Sequence, residues 1–288
     1  MGWQSGINHW AMPGVPVREA AGKAARAGFE TIELNIAEDG ELTPETDDAG
    51  AGALRTAVEE AGLSIGGVSS GLYWRYSPTA DDAATRQKAR EIAKRQLELA
   101  AALGVGAVLI VPGQVGTGSG DPMVRYDTAY DRAAAFLADI APVAEAVGVD
   151  IGVENVWNKM LLSPLEMRQI VDGVGSERVG VYFDVGNILL YGYPEHWIEI
   201  LGSRVRRIHL KDYRRSGGFC PIGEGDVDWE AVGAALGGIG YDGTLTAEVT
   251  PNEEERADMD AYIAKIYKQV ASVMQRMRTG AEKEAGID

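Results

Sequence analysis

Four apolar stretches of this chain each lead to a side chain that can ligate a hard metal ion. They are Asp150-Ile-Gly-Val-Glu154, Gly180-Val-Tyr-Phe-Asp184, Arg207-Ile-His209 and Thr244-Leu-Thr-Ala-Glu248. One carboxylate after a strand commonly caps a helix or faces solvent. Four successive strands ending this way are harder to explain so, and parallel neighbours would bring all four side chains to one spot. Three carboxylates and one imidazole form an oxygen-rich set. It suits Mn²⁺ first, then Mg²⁺ or Co²⁺, with coordination positions left open for substrate. Without a cation the packed carboxylates would repel and some would be forced neutral.

These residues need a scaffold that aligns strand ends, and strand-like and helix-like segments alternate eight times. Strand-like segments are 3–10, 31–35, 63–70, 105–111, 149–154, 179–184, 205–210 and 244–249. The segment 79–103 has its apolar residues Ala89, Ile92, Ala93, Leu97, Ala100 and Leu103 at helical spacing. Gly28, Gly62 and Gly104 sit where helices should stop. Ser163-Pro164-Leu-Glu166 reads as a capping box, so Glu166 is structural. The last helix is expected from about Glu253 to Arg278, with a frayed polar tail over 281–288. Eight βα units with short connections predict a single-domain α/β (β/α)8 barrel over 1–288. An open doubly wound sheet is the alternative, weakened because no Gly-x-Gly-x-x-Gly follows the first strand.

Composition narrows the function. A formal charge of −16 repels nucleic-acid phosphates and anionic lipid. One cysteine, Cys220, excludes an intrachain disulfide and a cysteine-based zinc cluster, and reads as an inert thiol. The N-terminal stretch lacks a basic and an apolar region, and no apolar run is long enough to span a bilayer. A cytoplasmic protein with no membrane or nucleic-acid partner is expected. The glycine-rich loop 112–122 lacks the Gly-Lys-Ser/Thr ending of a phosphate-binding loop and reads as a mobile loop over the site.

Val153-Glu154-Asn155, Phe183-Asp184-Val-Gly-Asn187, His209-Leu-Lys-Asp212, the stretch Pro221-Ile-Gly-Glu-Gly-Asp-Val-Asp-Trp229 and Ala247-Glu248-Val249 carry a family resemblance. Together they resemble the xylose isomerase-like barrel superfamily of sugar isomerases and epimerases, nearest its ketose 3-epimerase branch of D-tagatose and D-psicose 3-epimerases. The resemblance implies one divalent ion held by Glu154, Asp184, His209 and Glu248. It also implies Glu154 and Glu248 as the proton-transfer pair at C3 of a ketose or ketose phosphate whose carbonyl the ion polarises, through an enediolate. Arg215 matches a family arginine that contacts substrate oxygens. Members of that branch often carry histidine three residues after the strand-six aspartate. This chain has Asn187, which can donate to a sugar oxygen but cannot carry a proton charge. A homodimer or homotetramer is implied in the same way.

Position alone adds His9, Trp10, Glu33, Trp157 and Asn158 as candidates for substrate contact, each also explicable as packing. Lys211 and Asp212 read either as a buried pair or as substrate contacts, and His196 as a surface histidine. Other readings of the same site are an aldose–ketose isomerase, a keto-inositol dehydratase and a sugar-binding barrel without turnover. A nuclease resembling endonuclease IV would need more ligands and a basic groove than three histidines and this charge provide.

Overall fold

The computed structural model describes residues 2–116 and 123–286. Eight parallel strands close on themselves: β1 (Gln4–Asn8), β2 (Thr31–Ile36), β3 (Ser64–Ser70), β4 (Ala107–Ile110), β5 (Asp150–Glu154), β6 (Val179–Asp184), β7 (Val205–Leu210) and, last, β10 (Thr244–Ala247). Pairing of β1 with both β10 and β2 seals the cylinder and rules out the open sheet. A two-stranded antiparallel ribbon, β8 (Asp212–Arg214) and β9 (Gly218–Cys220), rises from the connection after β7.

The helices are α1 (Val17–Ala27), α2 (Asp48–Glu60), α3 (Leu72–Arg75), α4 (Ala83–Ala102), α5 (Tyr126–Val147) and α6 (Pro164–Val174). Then come α7 (Val185–Ile188), α8 (Pro194–Leu201), α9 (Trp229–Gly238), α10 (Glu253–Arg256) and α11 (Met259–Glu284). Their ends follow local chemistry. Asp47, Asp82, Ser163 and Asp228 each accept a backbone N–H as N-cap, and Gly28, Gly148 and Gly175 close helices in the left-handed region. Side-chain alternation puts one face of each strand inside the barrel and the other against the helices, which is why strands such as Ala107–Ile110 are buried throughout.

Several boundaries differ from expectation. The first strand stops at Asn8, and His9–Ala11 form one tight turn in which the Trp10 amide donates to the Asn8 side chain. The last barrel strand stops at Ala247, so Glu248 lies one residue beyond it and hydrogen-bonds through its backbone N to Leu210 O. The final helical segment is two helices, and α11 runs through part of the expected frayed tail. Ala281 is 2% exposed there because its side chain packs into the core. Glu166 is structural as expected, but its carboxylate accepts from Leu162 N and Tyr126 Oη rather than closing the box on Ser163. The second half of the glycine-rich loop, 117–122, lies outside the described residues.

Candidate metal centre and active site

Glu154 closes β5, Asp184 closes β6, His209 lies next to last in β7 and Glu248 follows β10. In register, Glu154 stands beside Tyr182, Asp184 beside His209 and His209 beside Thr246, so the four residues follow the stagger of neighbouring strands, share one face and meet at one end of the barrel. One ligand atom from each lies within 4.8 Å of the other three. This is the C-terminal mouth, where such barrels place their chemistry.

The donor set fits a divalent ion. Asp184 Oδ2, His209 Nδ1 and Glu248 Oε2 are buried atoms with no aligned hydrogen-bond partner. Nδ1 lies 2.9 Å from Glu248 Oε2 and 3.7 Å from Glu154 Oε1, yet none of these pairs is directed as donor and acceptor. Ligand atoms that point at a shared centre rather than at each other have this geometry. Lys211 supplies the nearest fixed positive charge, its Nζ 2.7 Å from Glu248 Oε2 and 3.0 Å from Asp184 Oδ2.

The electrostatics separate the two glutamates. Burial, with the charge of Glu248, pushes Glu154 up to about 7. Burial also acts to raise Glu248, but the charges of Lys211 and His209 outweigh it and hold that carboxyl well below its ordinary value. Asp184 is raised by burial. Burial alone would lower His209, yet the carboxylates of Glu33 and Glu248 raise it well above the ordinary imidazole value.

A cavity of about 560 Å³ opens onto this cluster and is lined by Lys211, Glu248, Trp10, Phe219 and Tyr262 among others. That volume suits a sugar-sized ligand. Phe219 reaches it from the β8–β9 ribbon, stacked on Trp157 at 4.8 Å with Tyr213 edge-on to both rings. The ribbon hangs from Asp212, which is 1% exposed. Asp212 Oδ1 accepts from Tyr213 N and Val227 N, and Oδ2 from Gly223 N, Gly225 N and Trp229 Nε1. Gly225 is required at its position because a Cβ there would collide with that carboxylate.

A family model described as xylose isomerase-like TIM barrel matches residues 21–266. The chain belongs to this family. It is 29% identical over 245 residues to the 2-epi-5-epi-valiolone 7-phosphate 2-epimerase of Actinoplanes sp., covering 84% of this chain and 80% of that protein. It is 25% identical over 232 residues to the L-ribulose 3-epimerase of Mesorhizobium japonicum, covering 79% and 73%. A solved structure of L-ribulose 3-epimerase superposes with a TM-score of 0.80 at 21% identity, covering 99% of this chain and 97% of that one.

On this family's scaffold the remaining candidates are distributed unevenly. Trp10 lines the cavity, and Trp157 stands beside it, its Nε1 donating to Asn187 O. The expected substrate contact from Glu33 is corrected: the side chain is wholly buried beneath His209 and exposes nothing to a ligand. His9 directs its Nε2 to Val15 O at 2.8 Å, inside its own loop. Asn187 is 5% exposed and donates its amide to Asn155 O. Arg215 also departs from expectation. Its guanidinium lies over the Tyr193 ring and lines a separate hollow with Leu189 and Tyr213, away from Glu248. Asn158 is structural, donating to Gly113 O. Lys211 and Asp212 do not pair: the lysine meets Asp184 and Glu248 while the aspartate holds the ribbon. His196 is exposed as expected, and no helix among the described residues is long and apolar enough to cross a membrane.

Phe219 and Tyr182 were not singled out from the sequence. Phe219 offered no periodic signal because it sits in a short ribbon inside a loop. Tyr182 was visible only as one apolar position of the Val179–Asp184 run.

Proposed function

We propose that this chain is a divalent-metal-dependent sugar epimerase, acting on a ketose or ketose phosphate through an enediolate, with Glu154 and Glu248 as the proton-transfer pair. The observation that carries it is the convergence of Glu154, Asp184, His209 and Glu248 ligand atoms within 4.8 Å, with Glu248 also lining a cavity of sugar size. The epimerase names of the Actinoplanes and Mesorhizobium relatives support the reaction class.

Glu154, Asp184, His209 and Glu248 would hold the ion, Mn²⁺ by the hardness of its donors, and when bound it would supply Lewis-acid polarisation of the substrate carbonyl. The protein's part is proton handling. Glu154 and Glu248 come from strands separated by β6 and β7, so they approach the centre from two sides. One carboxylate takes the proton from the carbon next to the carbonyl, the C–H electrons moving into the enediolate. The other returns a proton to the opposite face, which inverts the carbon. Positioned proton transfer of this kind contributes roughly 10²–10⁴-fold. Trp10 and Phe219 wall the cavity with rings suited to the apolar faces of a sugar. A phosphorylated substrate is a second reading, favoured by the phosphate in the Actinoplanes relative's name.

The test is a panel of ketoses and ketose phosphates incubated with Mn²⁺ in deuterium oxide and read by NMR. One substrate should epimerise with one solvent deuterium placed at the inverted carbon, and Glu154→Gln and Glu248→Gln should each lower turnover by 10² or more, roughly. Turnover by the double variant, or epimerisation without deuterium, refutes the pair.

A further inference from the structure

We propose that Glu33 is a positioning residue for the metal centre: it anchors the His209 imidazole from below so that Nδ1 is the atom presented to the three carboxylates. The proposal rests on the metal-centre reading above. Glu33 lies on β2, separated from β7 by β1 and β10 round the barrel, and its contact with His209 spans 176 residues of sequence. Both carboxylate oxygens face one ring nitrogen, Oε1 at 3.1 Å and Oε2 at 3.0 Å from Nε2. In the neutral imidazole that metal ligation requires, an Nε2–H donated there leaves Nδ1 as the bare nitrogen, 2.9 Å from Glu248 Oε2.

The anchor is itself held. Asn8 Nδ2 donates to Glu33 Oε1 at 2.7 Å, and the Tyr182 hydroxyl donates to Oε2. The Tyr182 ring packs against the imidazole with centroids 4.7 Å apart, so His209 is gripped on its edge by Glu33 and on its face by Tyr182. Ser69 extends the network, its Oγ accepting from Asn35 Nδ2 at 2.6 Å. Gly67 is cut to fit it: a Cβ there would collide with the Tyr182 hydroxyl and lie 3.1 Å from Glu33 Oε2.

A wholly buried carboxylate is costly unless charge and hydrogen bonds compensate it, and apolar residues would fill the same space more cheaply. A role in filling the barrel therefore explains the volume but not the charge. Fixing a ligand's tautomer and raising its basicity explains both, because a carboxylate on the distal nitrogen strengthens an imidazole ligand.

The experiment is calorimetric titration of Mn²⁺ into chelator-treated wild type, Glu33→Gln and Glu154→Gln, with folding checked by circular dichroism. Wild type should bind one ion. Folded Glu33→Gln should bind it about 10–100-fold more weakly, with Glu33→Asp recovering part of the loss. Affinity equal to wild type in Glu33→Gln overturns the proposal. A wild type that binds no ion overturns it together with the metal reading, whereas weak binding confined to Glu154→Gln overturns it alone. If Glu33→Gln does not fold, the ¹⁵N spectrum of Mg²⁺-loaded wild type decides. The chain has three histidines, and His209 should show a protonated Nε2 and a bare Nδ1. A proton on Nδ1 overturns the assignment.

Discussion

Asp212→Asn should separate the ribbon from the barrel while keeping side-chain volume nearly constant. The wild-type carboxylate accepts from two donors on Oδ1 and three on Oδ2. An amide has one acceptor oxygen, so it can serve only one of the two groups. With nitrogen at the Oδ1 place, Tyr213 N and Val227 N lose their acceptor and meet a second donor. With nitrogen at the Oδ2 place, Gly223 N, Gly225 N and the buried Trp229 Nε1 do. Each buried donor left without a partner costs about 1–3 kcal/mol, and water can reach the partly open Gly223 and Gly225 amides. The net loss is therefore about 2–4 kcal/mol, or roughly 5–10 °C in Tm for a chain of this size. Scanning calorimetry of the wild type and variant at matched metal loading measures it. KM should rise too, because Phe219 rides on the loosened ribbon. A Tm within about 1 °C of wild type would refute the view that Asp212 suspends the ribbon, since a single unsatisfied donor exceeds that shift.

Metal-free protein should lose stability as pH rises from 5 to 8. Glu154 is raised from 4.5 to about 7, so the unfolded chain releases its proton first and stability falls across that window. His209, raised above 6.5, contributes fully below that pH and loses its contribution above it, in the same direction. Glu248, held below 4.5, contributes throughout. Saturating Mn²⁺ should flatten the profile, and a metal-free Tm that climbs between pH 5 and 7 would contradict the shifts. Phe219→Ala removes an exposed cavity wall, so KM for the identified sugar should rise about 2–10-fold, the equivalent of one aromatic contact. Mn²⁺ affinity should stay unchanged in that variant; an unaltered KM would mean that the ring does not touch substrate.

The barrel and the ligand cluster were legible because their signals are local. Strand alternation is a property of a few consecutive residues, and it assigns each side chain to a face and an end before any partner is known. Glu154, Asp184, His209 and Glu248 shared one phase and one end, so strand adjacency was enough to bring them together. The residues that went elsewhere had non-local fates. Arg215 was matched to a family arginine, yet the ribbon turns it onto Tyr193. Lys211 and Asp212 are adjacent in sequence, yet successive positions point to opposite sides of the backbone and meet different partners.

By itself the sequence determined the order of strands and helices, the helix caps, and the kinds of atom that could gather at the strand ends. Tertiary structure alone decided that Glu33 lies under His209, that Asp212 faces five donors, and that Phe219 covers the cavity. The reason is closure. Joining β1 to β10 sets the stagger of the whole cylinder, and only that stagger determines which side chains from opposite walls meet inside it.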